Sequence, residues 1–346
     1  MGLSIRDIVP RKEIEISDLK GKMIAVDAFN TLYQFLSSVR QADGTPLMDS
    51  NKRITSHLSG IFYRNISLLR DGLRLIYVFD GKAPDLKYKT HEKRGNFREV
   101  AKEKYEEAKQ VEDIEAMRRY SSQFIRLDDE MIQESKELLE AMGIMVVQAP
   151  SEGEAEASYL SKMHKDIYCV ASQDYDSLLF GARKLVQNLT LARKRKTVSG
   201  YVEIKPNLID LDNVINELGI EMDQLICLGI LVGTDYNPKG IPGIGQKKAL
   251  DLVRKFKYPI KIFEQVEEKM MSLPEEDQFD WKEIFELFHK PHVKDVEIKF
   301  PKFNEKKIKQ ILVDEHEFSE ERIEKQLEEL RGIFEERKQK DLGKWF

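Results

Sequence analysis

The fold class predicted is α/β, with a mostly parallel, twisted central sheet flanked by helices. Three observations predict it. Short apolar runs rich in Val, Ile and aromatics recur at residues 23–28, 73–79, 144–149 and 167–171. Long stretches of helical periodicity separate them, and strands alternating with helices imply βαβ units. A hydrophobic fraction of 41% over 346 residues supports a sizeable core and argues against disorder.

Taken in order, the first run ends at Asp27 and the second at Asp80. Residues 81–142 then carry no strand signal. They begin basic, become a Lys/Glu-rich helix near residues 100–111, and stay helical through Leu138. A parallel crossover needs about a dozen residues, so this insertion exceeds its topological job, and long insertions are usually functional. Residues 190–202 read as a hairpin with a basic loop, and the pattern beyond Asp210 is helical. Gly240-Ile241-Pro242-Gly243-Ile244-Gly245 before Gln246-Lys247-Lys248 is a glycine hairpin opening a helix. The last dozen residues read as an exposed tail.

Charged residues make up 34% of the chain, mostly Lys and Glu, a composition that fits a hot environment. The net charge of −5 does not exclude a nucleic-acid partner, because distribution matters more than the sum. Basic residues cluster at 82–98, at 193–196 and around 247–257, while Glu320, Glu321, Glu328, Glu329, Glu335 and Glu336 make the C-terminal third acidic. Cys169 and Cys227 lie far apart with no CxxC, which argues against zinc or a disulfide framework and for a reducing, intracellular compartment. No apolar run approaches the ~18 residues of a membrane span, and the N-terminus lacks a signal peptide's apolar core. Gly2 invites a myristoylation reading, but Arg6 stands where that motif requires Ser or Thr.

The acids carry the functional signal. Asp27 and Asp80 end two runs, Glu152 and Glu154 follow the third, and Asp174 and Asp176 follow the fourth. Parallel strands place their C-terminal ends along one edge, where ligands bind. Six carboxylates thus converge on one rim, and Asp235, after the apolar stretch 228–232, is positioned to join from a helix end. Crowded like charges repel unless something neutralises them. Divalent cations do so: Mg²⁺ takes a few carboxylates plus water and phosphate oxygens. Two such ions about 4 Å apart suit an in-line phosphoryl displacement. A rival reading compares AVDAFNTLY with haloacid-dehalogenase phosphatases. Their second Asp is replaced here by Phe29, so the general acid is missing.

The segments VDAFNTLYQFL, VFDGKAPDLK, APSEGEAEA, SQDYDSLLFG and LVGTDYNPKGIPGIGQKKAL resemble, in order, the motifs of flap endonucleases, and the resemblance runs the length of the chain. LARKRK and DEHEFSEERI are similar to the archaeal and eukaryotic branch. The resemblance implies that Asp27, Asp80, Glu152, Glu154, Asp174, Asp176 and Asp235 hold two Mg²⁺ ions, with Mn²⁺ as a substitute. It implies that Lys87 and Arg94 act on the scissile phosphate, with Arg98 one turn further along the same helix face. It also implies that Tyr33 stacks on a base near the cut and that Gly2 lies at the DNA. Glu156, an acid the family does not require, reads as an exposed helix residue.

Glycines let backbone approach a phosphate, and a helix N-terminus offers free N–H groups. Gly243, Gly245, Lys247 and Lys248 are therefore expected to grip duplex DNA, and relatives also bind a monovalent cation there. The ending Gln339-Lys340-Asp341-Leu342-Gly343-Lys344-Trp345-Phe346 resembles the motif that docks on the sliding clamp PCNA, with Gln339, Leu342, Trp345 and Phe346 as contacts.

The expectation is one nuclease domain over residues 1–334, with a helical arch about 81–142. A helix-hairpin-helix-type DNA-binding segment follows at about 223–257, then a helical part at 258–334 and an exposed tail at 335–346. The expected activity is structure-specific 5′ flap cleavage, with 5′-3′ exonuclease activity, by a monomer in replication and repair. It would be cytoplasmic in an archaeal cell and nuclear in a eukaryotic one. A related 5′ exonuclease, a junction resolvase, or a non-catalytic scaffold that recruits the clamp are the alternatives. Complete acidic ligation argues against the scaffold.

Overall fold

A computed structural model describes residues 3–41, 43–110, 113, 116, 120, 126–191, 194–197 and 200–342. The strands are β1 (Lys12–Glu13), β2 (Met23–Asp27), β3 (Arg74–Phe79), β4 (Met145–Gln148), β5 (Ile167–Ala171), β6 (Lys184–Gln187), β7 (Lys194–Thr197), β8 (Gly200–Glu203) and β9 (Asn207–Asp210). Seven of them form one sheet in the order β1-β9-β6-β5-β2-β3-β4. Strands β2 to β6 pair in parallel, whereas β9 joins β6 and β1 joins β9 in antiparallel fashion. Of the four strands expected from apolar runs, β5, β2 and β3 lie inside the sheet and β4 forms its far edge. β1, β6 and β9 extend one edge; they are short and weakly apolar, so no run announced them. β7 and β8 form a separate antiparallel pair, and it places Lys194, Arg195 and Lys196 on a strand rather than in the basic loop expected of a hairpin there.

The helices used below are α1 (Ala28–Ser38), α2 (Ser56–Arg70), α3 (Tyr88–Gln110), α4 (Asp129–Ala141), α5 (Gly153–Met163), α6 (Asp176–Leu179), α7 (Leu211–Leu218), α8 (Met222–Val232), α9 (Gln246–Phe256), α10 (Trp281–His289) and α11 (Glu320–Leu342). The central strands are buried on both faces, which is why they read as continuous apolar runs rather than alternations. Ile24 and Val26 of β2 face a core built with α1, α2, α4 and α11. Met23 and Ala25 point the other way, toward Ala157 and Leu160 of α5. A third cluster lies beside β6 and is built largely by α6 to α10. No described helix is long and apolar enough to cross a membrane.

Three local expectations change. Met131, Leu138 and Leu139 of α4 are buried in the first core, so the last helix of the 81–142 insertion packs with the body. Residues 291–304 are not helical. Pro291 and Pro301 break the pattern, and Val296, Ile298 and Phe300 alternate at period two against the sheet face. The tail is helical as far as Leu342. Part of it is held to the body: Arg337 donates from Nη2 to the Leu73 carbonyl at 2.8 Å, beside the stacked rings of Phe303 and Phe334.

Candidate metal centre and nucleic-acid interface

Local sequence delivers each acid to one rim. Asp27 ends β2 and caps α1: Oδ1 accepts from the Asn30 N–H at 3.0 Å and Oδ2 from the Ser172 hydroxyl at 3.2 Å. Asp80 follows β3, and its Oδ1 accepts from the Gly153 N–H at 2.6 Å. A Cβ at Gly153 would lie 2.7 Å from that oxygen, so this approach requires glycine. Glu152 occupies the N-cap position of α5 without a side-chain capping bond, and Glu154 sits in the first turn, where the helix dipole favours negative charge. Glu154 Oε1 accepts from the Ser177 N–H at 2.9 Å and from the Ser177 hydroxyl. Asp174 follows β5 and accepts from the Leu3 N–H at 3.2 Å, while Asp176 opens α6. Asp235 comes two residues after Gly233, the C-cap of α8.

The electrostatics match the crowding. Carboxylate oxygens of Glu154, Asp174 and Asp176 lie within 4.8 Å of one another. Burial, then Asp80 and Asp174, pushes Asp27 up to about 7. Burial followed by Asp174, Asp176 and Asp27 holds Glu154 well above the usual range, and burial with Asp174 and Asp235 does the same to Asp176. Asp174 is raised by burial and then by Asp235. Oδ1 of Asp176 is buried with no hydrogen-bond partner among the described residues. An all-oxygen, acid-rich set with an orphaned oxygen fits a hard divalent cation.

Lys87 reaches this rim from the turn that precedes α3. Its Nζ pairs with Glu152 Oε1, lies 3.4 Å from Asp235 Oδ2, and sits 5.3 Å from the Tyr236 ring centroid. Burial alone would lower the Lys87 pKa, but Glu152 and Asp235 outweigh it and raise it, so the ammonium stays charged. The Tyr236 hydroxyl donates to Glu152 Oε2. Sequence reasoning missed Tyr236, Ser172 and Ser177. A tyrosine beside an acid carries no local signature, and serines near turns are too common to single out.

The other expected residues fall as follows. Tyr33 is half-buried on α1 against the core. Arg94 and Arg98 belong to α3, but their side chains lie outside the described set, as do Gly2, Trp345 and Phe346. Gln339 is exposed on α11, and Leu342 is that helix's last residue. Gly243 adopts φ +74° and Gly245 caps α9. Lys247 and Lys248 are exposed at the helix start, with Lys248 Nζ 3.2 Å from the Gly243 carbonyl. Glu156 departs from expectation. It is buried, and Oε2 accepts from the Lys294 N–H at 3.0 Å, because the extended segment 291–304 crosses over α5.

Comparison with known proteins agrees with this geometry. Residues 4–101 match the XPG N-terminal domain and residues 143–235 the XPG I-region. Flap endonuclease 1 of Thermococcus onnurineus is 51% identical over 302 residues, 87% of this chain and 86% of that protein. Flap endonuclease 1 of Pyrococcus furiosus is 56% identical over 266 residues, 76% of this chain and 78% of that protein. The solved flap endonuclease-1 from Methanococcus jannaschii is 38% identical with a TM-score of 0.74, over 97% of this chain and 100% of that one. The catalytic core of Rad2 in complex with DNA substrate has a TM-score of 0.67 at 23% identity, a likeness of fold. The acid rim, the sheet that builds it and these relatives agree: the chain belongs to the flap endonuclease 1 family, nucleases of DNA replication and repair.

Proposed function

We propose that the chain hydrolyses DNA phosphodiesters beside the junction of a 5′ single-stranded flap with duplex, using two Mg²⁺ ions. Asp27, Asp80, Glu152, Glu154, Asp174, Asp176 and Asp235 would hold them, and Mn²⁺ would substitute. The convergence of these carboxylates on one rim carries the reading. When bound, the two ions supply charge stabilisation for the attacking and leaving oxygens of an in-line displacement. Lys87 and Arg94 would stabilise negative charge on the phosphoryl oxygens.

The hairpin at Gly243 and Gly245, with Lys247 and Lys248, would hold duplex phosphates at the α9 N-terminus, with a monovalent cation on its carbonyls. Tyr33, Arg98 and Gly2 would contact DNA near the cut. The arch around α3 would stand over the rim, and Gln339, Leu342, Trp345 and Phe346 would dock on a sliding clamp. Two buried free cysteines, Cys169 and Cys227, suit a reducing intracellular compartment, the cytoplasm in an archaeal cell; the enzyme would act as a monomer.

The test offers flap, nicked, duplex and four-way-junction DNA with Mg²⁺ or EDTA and maps the cuts. Cleavage within a nucleotide or so of the flap junction, abolished by EDTA, is the expected result. Symmetrical cutting of the four-way junction in preference to the flap would replace this reading with a resolvase. Cleavage that survives EDTA would remove the metals from it.

A further inference from the structure

We propose that Tyr236 is a positioning residue that divides the two oxygens of Glu152 between two tasks. Its hydroxyl ties down Oε2, and Oε1 is thereby presented to a cation position that Lys87 fills until a divalent ion takes it. This rests on the metal-dependent reading above.

Four observations support it. The Tyr236 hydroxyl donates to Glu152 Oε2, while Lys87 Nζ pairs with Oε1 of the same carboxylate. Lys87 is also 3.4 Å from Asp235 Oδ2, so one ammonium bridges two acids drawn from distant parts of the chain. The tyrosine is fixed at both ends. Its N–H donates to Thr234 Oγ1 at 3.2 Å, the Thr234 hydroxyl donates to Asn237 Oδ1 at 2.8 Å, and Asn237 Nδ2 donates to the Ile230 carbonyl of α8 at 2.7 Å. Its ring packs edge-on against Phe288 at 5.4 Å and 76°, and Phe288 packs on Phe180 at 4.8 Å.

A ring held this way cannot follow the carboxylate; the carboxylate must stay with the ring. The same ring lies 5.3 Å from Lys87 Nζ, close enough for a cation–π contact. Glu152 is buried, and its carboxylate lies between two partners, Tyr236 and Lys87. Without the hydroxyl it could turn both oxygens to Lys87, satisfying the ammonium and withdrawing from an incoming ion. The hydrogen bond to a charged acceptor is strong enough to prevent that.

The experiment titrates Mn²⁺ into DNA-free protein and follows free Mn²⁺ by electron paramagnetic resonance. Wild type, Tyr236→Phe and Lys87→Met are compared, with thermal unfolding confirming that each is folded. Tyr236→Phe keeps the ring, its packing and its contact with Lys87, and loses only the hydroxyl. It should bind Mn²⁺ about tenfold more weakly, the scale of one hydrogen bond to a charged group. Lys87→Met removes the internal cation and should bind Mn²⁺ more tightly than wild type. A Tyr236→Phe isotherm that superimposes on wild type overturns the proposal, as does weakened binding in Lys87→Met. Wild-type protein that binds no Mn²⁺ would instead sink the metal-dependent reading itself, so the two failures are distinguishable.

Discussion

Asp174 meets repulsion from several sides: it raises Asp27, Glu154 and Asp176, and Asp235 raises it in turn. On the proposed reading, replacing it with alanine would remove a metal donor and also a negative charge that repels DNA. Asp174→Ala should therefore lose cleavage by at least about a hundredfold, as when a group acting in the transition state is removed. Flap binding should survive or tighten. Single-turnover cutting beside a binding titration in limiting Mg²⁺ checks both, and wild-type-like cutting would remove Asp174 from the metal set. At this scale the acids were legible because an acid after an apolar run is a local pattern. Tyr236 was not, since its importance comes from Glu152, which only folding brings near. Glu156 was misread because its partner, the Lys294 N–H, lies on a segment wrongly read as helical.

On the proposed reading, different elements would serve chemistry and grip. Lys87 and Arg94 belong to the turn before α3 and to α3 itself, whereas Lys247 and Lys248 open α9 behind the glycine hairpin. Lys87→Ala and Arg94→Ala should lower the single-turnover rate more than affinity. Lys247→Ala with Lys248→Ala should weaken duplex binding and flatten its salt dependence, since each phosphate contact releases counterions. The reverse pattern in paired rate and affinity measurements would exchange the two roles. A second group of elements is joined by a buried charge cluster that no motif announced. His316 meets Asp49 at 3.2 Å through Nδ1 and Glu134 of α4 at 2.8 Å through Nε2, while His57 of α2 lies 3.7 Å from Glu134.

Burial opposes charge at both Glu134 and His316, but their mutual hydrogen bonds prevail. Glu134 falls to about 2 and His316 rises above 6.5. The Glu134 contribution is full above its ordinary 4.5 and is lost as pH falls toward 2. The His316 contribution is full below 6.5 and is lost as pH rises through its elevated folded value. Glu134 and His316 should together contribute most between those ordinary values, while His57, held below 6.5 by burial, opposes them as pH falls below 6.5. His316→Gln should cost about 2 kcal/mol there and less at pH 9, as read from Tm across a pH series. A pH-independent difference would reduce the cluster to packing. The central strands were legible because burial on both faces makes them apolar runs. The strands β1, β9 and β6 on one side of the sheet were not, because pairing rather than composition makes them strands.

The whole molecule joins a sheet edge, an inserted helix, a hairpin-led helix and a last helix held at Arg337. Deleting residues 339–346 leaves that hold in place, so flap cutting without a clamp should be nearly unchanged. Stimulation by a clamp should disappear, since losing a buried aromatic anchor typically costs ~2 kcal/mol or more. Cleavage of one flap substrate by full chain and truncation, with and without clamp, decides it. Persistent stimulation would move the docking surface elsewhere, and collapse of basal cutting would make the last turns part of the body. The order of the sheet has a consequence for the cell as well. Asp27 and Asp235 stand about two hundred residues apart in the chain, with the other acids strung between them. In an unfolded or half-synthesised chain those acids are too dilute around one another to capture an ion, because closing such loops costs entropy before any contact rewards it. If these acids hold the metal ions, the capacity to cut DNA would arrive only when the strands have closed into register. On the proposed metal-dependent reading, an unfinished copy would be unable to cut DNA.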